Sequence, residues 1–253
     1  MYSTVSTGEL LASISISTAP STDYTLADQR RMARAKNYFA WQGRLVRREI
    51  GRRVLEIGCG VGNFTSLLLD RDLVIAIDKE PACVDALRRR YPERLNLRAF
   101  ACDAAGGGLL PFAEFAPDSC VCLNVLEHIE DDRALLQDAK AALSPGGVFV
   151  LLVPAFPSLY GAIDRNLGHF RRYTMRSLGG LAAAAGLRIK KASYMNAIGF
   201  FGWWANARIF RRAAQSESQI EFFDRYIVPL AARVESLAPP PFGQSIFAVL
   251  QKP

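Results

Sequence analysis

The chain has 253 residues, half of them apolar and 22% charged, with a formal net charge of +7. Those values are ordinary for a globular protein and bound it to one or two domains around a sizeable core. The basic balance permits contact with nucleic acid, an anionic membrane or an anionic metabolite, and selects none of them.

Five cysteines, Cys59, Cys83, Cys102, Cys120 and Cys122, sit mostly in or beside apolar runs, and no C-x-x-C pair occurs. With only two histidines, a zinc cluster is not expected, and reduced buried thiols in a cytoplasmic protein are. No run reaches the roughly 18 apolar residues of a membrane span. Residues 1–25, rich in Ser and Thr and without the layout of a secretory leader, read as a disordered tail. The domain is expected over 26–253.

Residues 26–50 have helical spacing, with Met32, Ala35, Phe39, Leu45 and Val46 able to share a face. Arg30, Arg31, Arg34, Lys36, Arg44, Arg47 and Arg48 then read as a solvated basic face, or as a flap over a ligand with Tyr38 and Trp41 giving aromatic contacts. Val54, Leu55 and Ile57 form a buried strand that enters the turn Gly58-Cys59-Gly60-Val61-Gly62, and a helix is expected over 64–69. Strands follow at 73–77, 95–100, 119–123 and 148–153, with helices opening at Pro81 and over 131–143. Thr174 caps a helix running to Ala185, a sixth strand is expected over 187–194, and Pro239-Pro240-Pro241 stops a helical insertion spanning about 196–240. A last strand lies at 245–250. This alternation predicts a doubly wound α/β sheet.

The strands end on polar residues: Glu56, Asp78, Asp103 and Asn124. In an open parallel sheet, ligands bind beyond these ends, so the four converge on one crevice. Asp78 lies about 20 residues after Gly58, where a carboxylate can accept both hydroxyls of a ribose. One such Asp reads as a helix cap; four in register point to a nucleoside cofactor.

A dinucleotide site uses G-x-G-x-x-G, whereas this chain has Glu56-x-Gly58-x-Gly60-x-Gly62. The tighter repeat resembles motif I of class I S-adenosylmethionine-dependent methyltransferases. Asp78, with Lys79 beside it, matches that family's ribose position, and Asp103 with Ala104 its adenine position. Asn124-Val125-Leu126-Glu127-His128-Ile129 resembles the segment after the fourth strand in small-molecule members of the ubiquinone-biosynthesis type, and Leu143-Ser144-Pro145-Gly146-Gly147 the turn before the fifth strand. The resemblance covers about residues 52–153. It implies a Rossmann-like, mostly parallel seven-stranded sheet with the last strand reversed, S-adenosyl-L-methionine held by Glu56, Gly58, Cys59, Gly60, Gly62, Asp78, Lys79, Asp103, Ala104 and Asn124, and Glu56 near the methionine end.

A sulfonium methyl is already electrophilic, so the protein's task is alignment, and no metal is required. Glu127, Asp131 and Asp132 read as first-turn helix carboxylates ahead of magnesium ligands. An acceptor base would be His128, by the crevice, or His169, oriented by Asp164 or Tyr160. Arg171 or Arg172 could hold a carboxylate or phosphate; equally, the loop 161–173 could be clamped by Arg–carboxylate pairs. This loop resembles an uncharacterised bacterial branch of the family. Phe200, Phe201, Trp203 and Trp204 read as core or as the wall of an apolar acceptor site; an exposed aromatic face would admit an amphiphilic acceptor or peripheral membrane contact.

The expected activity is methyl transfer to an oxygen, or a nitrogen or carbon, of a small anionic or amphiphilic metabolite. The alternatives are an NAD-dependent oxidoreductase, which needs the wider glycine spacing, a nucleic-acid methyltransferase, for which no RNA-binding module is evident, and a non-catalytic nucleoside-binding protein. Nothing in the sequence fixes the oligomeric state.

Overall fold

The computed structural model describes residues 29–206 and 217–253, so the sequence reading of residues 1–25 as a tail lies outside the described residues. Seven strands build one sheet: β1 Arg53–Ile57, β2 Leu73–Asp78, β3 Leu97–Ala101, β4 Ser119–Leu123, β5 Val148–Pro154, β6 Arg188–Met195 and β7 Ser245–Gln251. Their order is β3-β2-β1-β4-β5-β7-β6. β7 runs antiparallel to both β5 and β6, while the other pairs are parallel. The order reverses at β1 and β4, and the cofactor crevice is expected at such a switch point.

Covering both faces explains the unbroken apolar runs in β2, β4 and β5. Leu55, Ile57, Ile75, Phe149 and Leu151 pack into one core layer, and Val54, Val74, Val121, Val150 and Trp41 into the other. The alternation along each strand is the two-residue pleat. All five cysteines are free and buried.

The helices are α1 Lys36–Val46, α2 Pro81–Arg90, α3 Asp132–Ala142, α4 Ala162–Asn166, α5 Met175–Ala184, α6 Ala197–Ala205, α7 Glu217–Phe222 and α8 Val228–Leu237. Their starts follow the side chains: Pro81 stands at the first turn of α2, Asp131 accepts from the Ala134 amide at 2.9 Å, and Thr174 and Ser177 cap α5 reciprocally.

Two expectations fail. The single helix over 26–50 is broken into helical residues 29–32 and α1, with a turn and Ala35 between them, and the helix after the glycine turn shrinks to a 3₁₀ turn, Thr65–Leu67. There the Ser66 hydroxyl donates to the Asn63 carbonyl at 3.1 Å, a local bond that competes with helix, and no side chain caps the start.

The insertion joins the body through its acids. Glu235 accepts the Asn196 and Ala197 amides, each at 2.9 Å, and so supports the start of α6. Between α7 and α8 the coil widens to π-helix over Phe223–Ile227, just ahead of Pro229, which has no amide to donate. That wide turn carries Asp224, whose carboxylate accepts the Asn37 amide at 3.0 Å and the Tyr38 amide at 2.8 Å. α1 and the insertion are thereby tied into a roof above the carboxyl edge of the sheet.

Candidate active site

A cavity of about 660 Å³ lies under this roof. Glu56, Gly58, Cys59, Asp78, Lys79, Asp103, Ala104 and Asn124 line it, so the four strand-end residues do converge. The Gly58 and Cys59 amides donate to the Ile77 carbonyl at 2.8 and 2.9 Å, folding the glycine turn back over the end of β2. Gly58 has φ +76°, and a β-carbon there would lie 2.3 Å from Val125 Cγ2. Glycine is therefore required by both conformation and space.

Gly60 and Gly62 do not line the cavity, contrary to expectation. The Gly60 amide donates to Asp78 Oδ2 at 2.7 Å, and the Glu80 amide to Asp78 Oδ1 at 2.9 Å. Gly60 thus orients the carboxylate, whose remaining lone pairs are available to a ligand. Gly62 lies against Leu87 of α2.

Glu56 is 3% exposed, and its Oε2 has no hydrogen-bond partner. Burial, with the nearby Asp78 charge, pushes its carboxyl up to about 8.

The cavity is also lined by Gln42 and by a cluster of Glu127, His128, His169, Arg172 and Trp203. The cluster's organiser is Asp164, which is fully buried. Asp164 Oδ1 accepts from Arg172 Nε at 2.7 Å and meets His169 Nδ1 at 2.9 Å, while Oδ2 accepts from the Gly161 amide at 2.9 Å. Although burial opposes it, the His169 hydrogen bond and the Arg172 charge hold Asp164 below its ordinary value.

Asp164, not Tyr160, therefore orients the His169 ring. The Tyr160 hydroxyl donates to the His169 carbonyl at 2.7 Å, and Tyr160 is absent from the cavity wall. Neither arginine presents a free fork. Arg172 pairs with Asp164, donates to the Ala155 carbonyl at 3.1 Å and lies 4.7 Å over the Trp203 ring. Arg171 pairs with Asp132 at 2.8 Å, and Tyr173 donates to the same carboxylate at 2.9 Å. The clamped-loop reading is the one the contacts match.

Glu127 does stand in a first helical turn, the 3₁₀ turn Leu126–His128, but it faces inward. It is 1% exposed, its Oε2 is unpartnered, and burial pushes it up to about 7, with the His169 charge opposing. His128 is driven down to about 4 by burial, then by His169 and Lys79, so its ring is neutral near pH 7. Of the four insertion aromatics, Trp203 forms cavity wall and Phe200 packs on Phe156 and Phe242, while Phe201 and Trp204 stay largely exposed.

Gln42 was missed. It is buried in α1 with both amide atoms unpartnered, and the only available signal was a polar residue beside Trp41 on an otherwise apolar helix face.

A switch-point cavity over a seven-stranded sheet with one reversed strand defines the Rossmann-like methyltransferase fold. Residues 24–192 match the family model described as Methyltransferase domain, and the chain belongs to that family. A Mycolicibacterium smegmatis protein described as a "Probable S-adenosylmethionine-dependent methyltransferase" is 33% identical over 152 residues, 58% of this chain and 56% of that one. The chain spans about half the length of the curated relatives it matches. Among solved structures, a Haloferax volcanii methyltransferase in complex with the Trm112 activator superposes with TM-score 0.62 at 18% identity, covering 91% of this chain and 95% of that one. The YcgJ protein of Bacillus subtilis gives TM-score 0.56 at 17% identity over 84% and 97%. Among the described residues, no helix is long and apolar enough to cross a membrane.

Proposed function

We propose that this chain moves the methyl group of S-adenosyl-L-methionine to an oxygen of a small molecule. The observation that carries the reading is the convergence of Glu56, Asp78, Asp103 and Asn124 on one cavity that continues to a second polar end at Glu127, His128 and His169. Its volume lies within the ~300–1,000 Å³ of small-ligand sites. Asp78 holds the ribose, Asp103 and Ala104 border the adenine, and Glu56 faces the methionine end. The acceptor enters at the far end, where His169, held by Asp164, meets its nucleophile; Trp203 gives it an apolar wall.

The dinucleotide alternative loses its physical basis, because a pyrophosphate needs a helix N-terminus after the glycine turn and only Thr65–Leu67 follows here. The test is calorimetry with S-adenosylhomocysteine followed by a methyl-transfer screen over metabolite extracts read by mass shift. Binding that Asp78→Ala removes, with a product heavier by one methylene, is the expected result. Binding without turnover would favour a nucleoside-binding protein, and no binding would end the proposal.

A further inference from the structure

We propose that Glu127, His128 and His169 form a site for one divalent transition-metal ion at the acceptor end of the cavity. The site stands on side-chain geometry; its use in catalysis rests on the methyltransferase reading. The sequence reading expected no metal, because the sulfonium methyl is already electrophilic and Glu127, Asp131 and Asp132 read as first-turn helix carboxylates. In the fold Glu127 turns inward and, with its neighbour His128, meets the imidazole of His169 from a distant segment.

One ligand atom from each of the three residues lies within 4.8 Å of the others. Metal–ligand bonds of roughly 2.0–2.2 Å could be reached by rotamer changes of about an ångström. Glu127 Oε2 is buried without a hydrogen-bond partner, so its lone pairs are open to an ion. Arg172 lies nearby, but its hydrogen bonds go to Asp164 and to the Ala155 carbonyl rather than to Glu127. Asp164 also fixes His169 by Nδ1, leaving Nε2 as the donor nitrogen. A carboxylate behind a histidine is the usual support of a metal-bound imidazole. The His128 ring stands edge-on to the His169 ring with centroids 4.6 Å apart, which brings the two imidazoles to one point.

Two imidazoles and one carboxylate favour zinc, manganese, iron(II) or cobalt over magnesium and calcium, which prefer oxygen alone. Three protein ligands leave coordination positions open for a hydroxyl-bearing acceptor. A hydroxyl bound there gives up its proton to water more readily. Its oxygen lone pair then forms the bond to carbon as the sulfur–methyl bond breaks, and the ion is neither oxidised nor reduced. A His169 that ligates an ion is no longer a free base, so the two uses of this side chain are separable by experiment.

The full chain is treated with a chelator, dialysed and titrated with Co²⁺, followed by visible absorption and calorimetry. One equivalent with a d–d band is expected. Glu127→Gln and His128→Asn should each weaken it about tenfold or more. Asp103→Asn should leave Co²⁺ affinity within about twofold while weakening S-adenosylhomocysteine. X-ray absorption at the cobalt edge of the unmodified chain, showing two imidazoles and oxygen, supports the site without any variant. No saturable single equivalent, a shell without imidazole, or unchanged affinity in a folded Glu127→Gln overturns it. S-adenosylhomocysteine calorimetry on the same samples keeps the two readings apart: loss of that binding sinks the methyltransferase reading and leaves the metal site standing.

Discussion

Glu56 carries the clearest pH signature in the molecule. Its folded value of about 8 stands above its ordinary 4.5 because burial penalises the anion. Protonated in the fold, it contributes stability in full below its unfolded pKa, and that contribution is lost as pH rises through about 8. Glu56→Gln should flatten this fall, which urea unfolding at about pH 5 and about pH 8 would measure. Ligand binding runs the other way: a cation is held better by the ionised acid, so affinity for S-adenosyl-L-methionine should rise with pH toward about 8 in the native chain and not in Glu56→Gln. At Gly58 the cost is steric. Alanine would require a left-handed residue, about 1–2 kcal/mol, and would strike Val125. Gly58→Ala should therefore lower unfolding stability by at least that amount and weaken S-adenosylhomocysteine, since Val125 and Asn124 border the same cavity. Retained affinity would show that the turn can shift without moving the end of β4.

At the level of elements, α1 begins without a cap of its own: Ala35 precedes it and offers no side-chain acceptor. Asp224 supplies that acceptor from 187 residues away, and Arg34 adds ion pairs to Glu217 and Glu221. Those exposed pairs contribute little, whereas a capping carboxylate is worth about 0.5–2 kcal/mol. Asp224→Ala should cost about that much in chemical unfolding and expose the Asn37 and Tyr38 amides to hydrogen exchange. Arg34→Ala should leave both nearly unchanged. Such a cap could not be read from the sequence, because neither local spacing nor periodicity records a partner so distant. The cap at Thr174 was legible for the opposite reason, as its acceptor and the Ser177 amide lie three residues apart. The helix after the glycine turn was misread because an apolar run beginning at Phe64 suits a buried turn as well as a helix; the local Ser66–Asn63 bond decides between them.

Across the whole molecule, legibility follows the sheet. Strands buried on both faces leave continuous apolar runs, and the register sets where each strand ends, so the convergence of Glu56, Asp78, Asp103 and Asn124 on one cavity was readable. The cluster around His169 and Arg172 hangs on a loop whose geometry is set by Asp164, and there the sequence named the residues without saying which would pair. The cavity consequently joins segments far apart in the chain: α1, the strand ends, and α6 to α8. A ligand spanning it must couple them. S-adenosylhomocysteine at about a hundred times its dissociation constant should stabilise the fold by about 2.7 kcal/mol. If the roof closes on the ligand, hydrogen exchange should slow together at Asn37 and Tyr38, at Gly199, and in the glycine turn. Protection confined to the turn and strand ends would mean that the Asp224 tie holds the roof in place whether or not the cavity is filled.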